Sequence, residues 1–251
     1  MSEQRGRVRL EHGHKRVRAF LGGALVADTT RPLLVWENPH YPAYYLPLHD
    51  VRQELLEPST RTEHSPSRGE ARHYSVHAGT RRVEDAAWTY PESPIEELRH
   101  ALRVDWDAMD AWFEEDEEVF VHPRDPYTRV DILASSRHIE VVLEGQAVAD
   151  SHHPTLLFET GLPVRYYVPQ VDVRRDLLIP SETTTACPYK GFARYWSVTT
   201  GGGVAEDVAW SYRTPLPESQ RIAGLVCFYN ERVDLVVDGE PQKRPHSPFS
   251  R

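Results

Sequence analysis

The chain contains few sulfur-bearing residues, with two cysteines and two methionines among its 251 residues. Cys187 and Cys227 are too few for a four-thiolate zinc site or for the set of disulfides that stabilises many small secreted proteins. We therefore expect both thiols to be free and the protein to be cytoplasmic, where cysteines stay reduced.

Long apolar runs are also missing from the sequence. No segment approaches the roughly 20 consecutive apolar residues of a membrane-spanning helix. The N-terminal residues Met1 to Arg9 are mostly polar and basic, and they lack the apolar stretch of a signal peptide. We therefore expect no membrane association.

Positive charge is scarcer than negative charge, and the formal net charge is −9 at pH 7. A general nucleic-acid binder needs a basic face that attracts phosphate, so we predict no nucleic-acid partner. The thirteen histidines are scattered, and the adjacent pair His152 and His153 falls in an expected turn. Because a metal site needs several converging ligands, the sequence predicts no metal site, and nothing in it indicates a cofactor.

What the sequence does contain is an internal repeat. A shift of 122 positions aligns the chain with itself, without a gap, from Val17 with Ile139 to Tyr90 with Tyr212. About thirty of roughly 74 aligned pairs are identical, which is the signature of a repeated structural unit. An alignment without gaps requires the same loops in both copies, so we predict two domains of one fold.

The repeat and the composition together predict the domain limits. We expect a mobile segment over residues 1–14, a first domain over 15–121, a linker over 122–127, a second domain over 128–240 and a disordered tail over 241–251. The proline-rich linker, from His122 to Tyr127, is typical of a connection between domains. The two domains either pack on each other or are joined only by this short linker.

Alternating apolar and polar residues between Gly-containing turns predict mainly antiparallel β structure in both copies. Each copy also contains one or two short helical patterns. Asp50 is the expected N-cap of one of them, with Val51 and Leu55 facing inward, and Asp172 begins its counterpart. A further helix is expected from Ile95 to Leu102.

One turn differs chemically between the copies. Its frame is the same, because Pro66 and Gly69 align with Pro188 and Gly191. Its side chains are not the same: Ser65, Ser67 and Arg68 in the first copy stand opposite Cys187, Tyr189 and Lys190 in the second. Any site at this turn is therefore expected in the second domain.

The motifs of the second copy resemble the family catalogued as "domain of unknown function 427", and the match runs from about residue 16 to 240. The residues that carry the resemblance are Tyr166 to Pro169, Asp172 to Arg174, Cys187 to Gly191, Tyr195 to Val198, Glu206 to Trp210 and Phe228 to Asp234. The resemblance implies a small all-β domain of the tent-like type, in which two sheets meet at an angle, and it implies no established activity.

Domains of this kind also carry a nucleotidyltransferase label, which the residues here do not support. That reaction needs carboxylates that hold magnesium and a loop that binds phosphate. The glycines Gly201 to Gly203 lead into an expected strand rather than into a helix N-terminus, so they do not form a phosphate-binding loop. Nucleotidyl transfer is therefore not predicted.

The side chains of the turn allow a functional and a structural interpretation. Cys187 is either a nucleophile whose pKa Lys190 lowers or a small packing residue. Lys190 either binds an anion or forms a Schiff base, or else it pairs with an acid such as Glu206. Glu206 and Asp207 are either a general base or ordinary surface acids, and the first copy repeats them at Glu84 and Asp85.

Aromatic residues follow the turn, and they either wall a pocket for a planar ligand or form an aromatic core. No catalytic residue is predicted. The predicted ligand-binding residues are Cys187, Tyr189, Lys190, Trp196, Trp210, Arg174 and Tyr167.

Two functions remain open at this point: a small-molecule site in the second domain, or a non-catalytic interaction or scaffold protein without a ligand pocket. A concave pocket that contains Lys190 would favour the first. A solvated Lys190 above a filled aromatic core would favour the second.

Overall fold

The computed structural model of the protein describes residues 8–250. The protein is mainly β, with 54% strand and 9% helical residues, and each half contains a similar pair of antiparallel sheets. The predicted fold class, two mainly antiparallel β domains, is confirmed. Contacts divide the chain into a first unit that ends at Asp125 and a second unit that begins at Pro126.

The strands of the first unit are β1 Arg9–His12, β2 Val17–Leu21, β3 Ala24–Thr29, β4 Leu33–Trp36, β5 Ala43–Pro47, β6 Leu56–Ser65, β7 Gly69–Ala78, β8 Arg81–Thr89, β9 Ala101–Val104, β10 Ala111–Glu114 and β11 Glu117–Val119. Short 3-10 turns occupy Leu48–Asp50, Gln53–Leu55 and Glu96–His100. A large sheet has the strand order β1-β4-β5-β9-β8-β7-β6, and a small sheet has the order β11-β10-β2-β3.

The strands of the second unit are β12 Val130–Ala134, β13 Ile139–Leu143, β14 Gln146–Ser151, β15 Thr155–Glu159, β16 Arg165–Val168, β17 Leu178–Cys187, β18 Gly191–Thr200, β19 Gly203–Tyr212, β20 Val226–Phe228, β21 Asp234–Val237 and β22 Glu240–Pro241. Its 3-10 turns are Gln170–Asp172, Arg175–Leu177 and Pro217–Ile222. The large sheet has the order β12-β15-β16-β20-β19-β18-β17, and the small sheet has the order β14-β13-β21-β22.

Both faces of each large sheet are covered. The inner face packs on the small sheet of the same unit, and residues from both sheets form one core. The outer face carries a second apolar cluster, closed by Leu98 in the first unit and by Ile222 in the second. Successive side chains of a strand point to opposite faces, which is why the neighbours Tyr44 and Tyr45 are both buried, one in each cluster.

The hairpin that contains the chemically distinct turn has the same geometry in both units. Ser65 pairs with Gly69, and Cys187 pairs with Gly191, across a loop of three residues. Gly69 and Gly191 have φ angles of 94° and 88°, a left-handed conformation that glycine adopts without steric cost. The glycine at this position is therefore a requirement of the hairpin itself.

The predicted short helices are only single 3-10 turns. Asp50 does not cap a helix; it ends the turn Leu48–Asp50, and its carboxylate accepts a hydrogen bond from Thr29 Oγ1 at 2.7 Å. Asp172 accepts one from Ser151 at 2.6 Å in the same way. The apolar spacing that predicted helices comes instead from two tight turns before a strand. In a segment this short, the spacing of apolar residues cannot distinguish a helix from other structures.

Both terminal segments contain more structure than expected within the described residues. Arg9–His12, in the segment predicted to be mobile, pairs with Leu33–Trp36, and Leu10 packs on the outer apolar cluster. In the segment predicted to be disordered, Ser247 is buried and donates a hydrogen bond to Glu231. Residues 1–7 and 251, which also belong to these two predictions, lie outside the described part of the chain.

No helix among the described residues is long and apolar enough to cross a lipid bilayer.

Candidate functional site

Lys190 is buried rather than solvated, and its partner is Glu159 rather than Glu206. The Lys190 ammonium donates a hydrogen bond to Glu159 Oε2 at 2.5 Å, and the two side chains are 10% and 9% exposed. Glu159 is the last residue of β15, so the pair connects the turn to the opposite part of the large sheet. An ion pair buried this deeply persists because each charge compensates the desolvation of the other.

The charge state of Lys190 restricts its chemistry. Burial lowers the pKa of Lys190, but the Coulombic and hydrogen-bond contributions of Cys187 and Glu159 outweigh burial and raise it. The amine therefore stays protonated at neutral pH. A Schiff base requires the neutral amine, so the geometry argues against that role, and an anionic ligand would have to compete with Glu159.

The first unit contains the equivalent ion pair. Arg68 lies 3.6 Å from Glu37, and Arg68 Nε donates to the Tyr90 hydroxyl at 3.3 Å. The Tyr45 hydroxyl donates to Glu37 at 2.6 Å. Because both units have a cation, a glutamate and a tyrosine at these positions, the ion pair is a shared structural feature. What distinguishes the second unit is the pair Cys187 and Tyr189.

The two cysteines are free and occupy different environments. Cys187 is half-buried at the end of β17 and lies beside the Lys190 ammonium. Cys227 is fully buried, and desolvation raises its pKa to about 12. A thiolate is the reactive form of cysteine, so Cys187 is the more accessible nucleophile of the two.

Tyr189 is half-buried, and its backbone is held by a neighbouring turn. Ser219 Oγ donates to the Tyr189 carbonyl oxygen at 3.0 Å, and the Leu216 amide donates to the Lys190 carbonyl oxygen at 3.2 Å. These bonds anchor the hairpin turn to Pro217–Ile222. The turn is therefore a rigid platform for the side chains that it presents.

Behind the turn lies a filled aromatic cluster. Trp210 is 6% exposed, and its indole N–H donates to the Tyr167 hydroxyl at 3.2 Å. The Tyr195 hydroxyl lies 2.9 Å from Thr185 Oγ1 and 3.3 Å from the Tyr229 hydroxyl. Tyr167 and Trp210 are thus core residues of the outer face. Trp88, the counterpart of Trp210, is half-buried on the same face of the first unit.

Sequence reasoning missed an ion pair next to this cluster. Arg165 makes two hydrogen bonds to Glu231, at 2.6 and 2.8 Å, and its guanidinium lies 5.5 Å from the Trp210 ring centroid. Glu231 also accepts a hydrogen bond from the Ser247 hydroxyl. Burial raises the pKa of Glu231, but the hydrogen bonds from Arg165 and Ser247 and the charge of Arg165 outweigh burial and lower it. The repeat offered a signal, because Arg165 stands where the first copy has Ala43.

Two predicted ligand residues lie away from the turn. Trp196 packs on the core between the sheets, on the face opposite to its strand neighbour Tyr195. Arg174 is exposed and pairs with Asp176 at 2.6 Å. The structure thus brings together Cys187, Lys190, Trp210 and Tyr167 on the outer face of one sheet, with Tyr189 in the same turn. It does not bring Trp196 or Arg174 to them.

Asp207 has a structural setting rather than that of a general base. It has a φ of 48°, and it accepts a hydrogen bond from Thr183 Oγ1 at 2.6 Å. Asp85 has the same left-handed backbone in the first unit.

The sequence predicted no metal site, because the histidines are scattered and the adjacent pair His152 and His153 falls in an expected turn. The structure instead brings His152 near His138 and Asp150, with one candidate ligand atom from each within 4.8 Å of the others. His138 Nε2 lies 2.7 Å from Asp150, and the two imidazoles stack at 4.1 Å. Asp150 and His152 are exposed, so the arrangement also fits ordinary surface pairing.

The fold and the repeated outer-face cluster define a tandem protein of two mainly antiparallel β domains, one with a thiol-bearing turn. A family model described as a domain of unknown function (DUF427) matches residues 9–115 and again residues 131–239. The chain belongs to this family, and it contains two copies of the domain. A search among curated proteins found no match to the chain.

Proposed function

We propose that the second unit binds a small molecule at the hairpin turn, with Cys187 as the contacting group. Tyr189 forms a wall of this site, and Lys190 lies beneath it as a fixed positive charge. The proposal is for binding and includes no catalytic step.

One observation carries this proposal. The two units share the turn frame and the ion pair, which is buried in the second unit and only partly buried in the first, but only the second unit has a half-buried thiol beside the ammonium. If the turn served the fold alone, the serines of the first unit would suffice there. A fold requirement therefore does not explain why Cys187 and Tyr189 replace Ser65 and Ser67.

A specific observation favours the second candidate, an interaction or scaffold protein. The aromatic side chains behind the turn pack on one another, with the Trp210 and Tyr229 ring centroids 4.4 Å apart, so they leave the turn shallow. A ligand would then lie on the turn rather than behind it. The experiment below separates the two functions.

The test is a thermal-shift screen of the full chain against nucleotides, sugars, amino acids and common cofactors. A ligand that binds only the native state stabilises it by RT ln(1 + [L]/Kd), about 2.7 kcal/mol at one hundred times Kd. Any hit is then measured on Cys187→Ser, Tyr189→Ser and Lys190→Arg. Each substitution introduces the residue of the first unit, where the same hairpin accepts it.

We expect Cys187→Ser and Tyr189→Ser to weaken binding at least about tenfold while the melting temperature without ligand changes by only a few degrees. Lys190→Arg should have the smallest effect, because it preserves the charge. The reciprocal variant Ser65→Cys is the control and should leave binding unchanged. A hit that binds all three second-unit variants as tightly as the parent, or the absence of any hit, would favour the interaction function.

A further inference from the structure

Each unit contains a cavity, and the two cavities occupy equivalent positions. The first has a volume of about 200 Å³ and lies between Tyr41, Trp106 and the segment 121–123. The second, of about 160 Å³, lies between Pro163, Asn230 and the segment 242–245.

Hydrogen bonds and strand register establish the equivalence. Ala86 and Val208 are equivalent positions of the repeat. The Asp105 amide donates a hydrogen bond to the Ala86 carbonyl oxygen at 2.8 Å, and the Tyr229 amide donates one to the Val208 carbonyl oxygen at 3.0 Å. Asp105 therefore corresponds to Tyr229, and the next residue, Trp106, corresponds to Asn230. Trp112 pairs with Ala19, and Leu235 pairs with Val141, the equivalent of Ala19 in the repeat. Trp112 therefore corresponds to Leu235.

Aromatic rings line the cavity of the first unit and are replaced in the second. Trp106 and Trp112 stack with their ring centroids 5.0 Å apart, and Tyr41 stacks on His122 at 3.8 Å. The residues that correspond to Trp106, Trp112 and Tyr41 in the second unit are Asn230, Leu235 and Pro163. The first cavity therefore presents aromatic surface where the second presents amide and aliphatic groups.

The charge of the two cavities also differs. Asp105 and Asp107 line the first cavity, both are exposed, and neither side chain has an ion-pair partner among residues 8–250. The lining of the second cavity includes Lys243 and no acidic side chain. Glu231, the counterpart of Asp107, pairs with Arg165 outside that lining. The first unit has Ala43 in place of Arg165, so its cavity has no equivalent internal cation for Asp107.

The remaining charges near the first cavity are already paired. Arg103 lies 3.4 Å from Glu37, and its guanidinium stacks over Trp88 at 5.1 Å. The unpaired carboxylates thus leave an excess of negative charge beside aromatic rings. At the rim, Val121 has a φ of 73°, an unfavourable conformation for a β-branched residue and one often found near functional sites.

We propose that the cavity of the first unit binds an organic cation, of the substituted ammonium class. Aromatic rings attract such cations through their quadrupole, and carboxylates add a Coulombic attraction that water screens only in part. The cavity, of about 200 Å³, is smaller than the pockets that hold drug-sized ligands, so a small group such as trimethylammonium suits it better than a larger molecule. This site is separate from the thiol-bearing turn, so the two proposals stand or fall independently.

The experiment is a calorimetric titration of the full chain with choline chloride. The neutral isostere 3,3-dimethylbutan-1-ol, which has the same shape without the charge, is titrated in parallel. The variants are Trp106→Asn, which introduces the residue of the second unit, Trp106→Phe, and the double change Asp105→Asn with Asp107→Asn. Glu182→Gln, which removes one negative charge from an exposed acid of the second unit, is the control for a loss of surface charge away from the cavity.

We expect saturable choline binding and at least about fivefold weaker binding of the neutral isostere. Trp106→Asn should weaken choline binding at least about tenfold, Trp106→Phe less, and the double aspartate variant at least about threefold, with Glu182→Gln unchanged. Trp106 also packs on the inner core, so Trp106→Asn could prevent folding. In that case the double aspartate variant, which changes only exposed side chains, and Trp106→Phe provide the test. The proposal is overturned by no saturable binding, by equal binding of the isostere, or by full binding in the aspartate variant.

Discussion

At the scale of the residue, the two cysteines differ by their surroundings alone. Cys187 is half-buried beside an ammonium, whereas Cys227 is fully buried with a pKa of about 12. The sequence predicted two free thiols correctly, but it could not separate them. The Lys190 partner was equally hidden, since Glu159 lies 31 positions away on another strand and only the sheet brings it close.

This difference predicts selective thiol chemistry. At pH 7.5 a thiol reagent such as 5,5′-dithiobis(2-nitrobenzoate) should modify one thiol per native chain, and peptide mapping should place it at Cys187. A second thiol should react only after denaturation, because burial excludes the reagent and keeps Cys227 protonated. Cys187→Ser should abolish the native reaction. Modification of Cys227 in the native protein would contradict this account.

At the scale of the element, the hairpins were predictable because proline and glycine mark their turns in both copies. The helices were overpredicted, since the spacing of Val51 and Leu55 also suits a 3-10 turn that leads into a strand. Strand β1 was missed because its basic residues concealed Leu10, whose burial depends on a distant partner strand. The aromatic cavity of the first unit was missed because its walls come from places far apart in the sequence, at residues 37–44, 103–107, 112 and 121–123.

The shared turn predicts a specific cost at Gly191. Its φ of 88° is strained for any residue with a side chain, although a Cβ there would meet other atoms at no less than 3.6 Å. Gly191→Ala should therefore destabilise the second unit by about 1–2 kcal/mol through backbone strain alone. Urea denaturation measures this change.

Gly201→Ala is the control, because a Cβ at that position meets no atom within 4 Å and φ is outside the left-handed range. It should be neutral or slightly stabilising. Equal stability changes for the two variants would show that the backbone conformation at Gly191 does not matter.

At the scale of the whole molecule, the two units have one topology but different titratable groups. Burial raises the pKa of tyrosines in both units, Tyr45 in the first and Tyr167 and Tyr212 in the second, but both cysteines lie in the second unit. Multidomain proteins need not unfold in a single step, so each unit can respond separately to pH. Cys227 offers a test of this separation.

The pKa of Cys227 is raised from 9.0 to about 12 in the folded state, first by desolvation. Above about pH 9 the unfolded chain releases this proton while the folded chain retains it. The contribution of this protonated thiol to the free energy of unfolding is therefore fully present below pH 9 and is lost as pH rises toward 12. A single group of this kind lowers the free energy of unfolding by up to about 1.4 kcal/mol per pH unit over this range. Scanning calorimetry between pH 8 and 11 should show a steeper loss in the parent than in Cys227→Ala, and only in the transition of the second unit. The same slope in both proteins would mean that the Cys227 thiol does not titrate between these two pKa values.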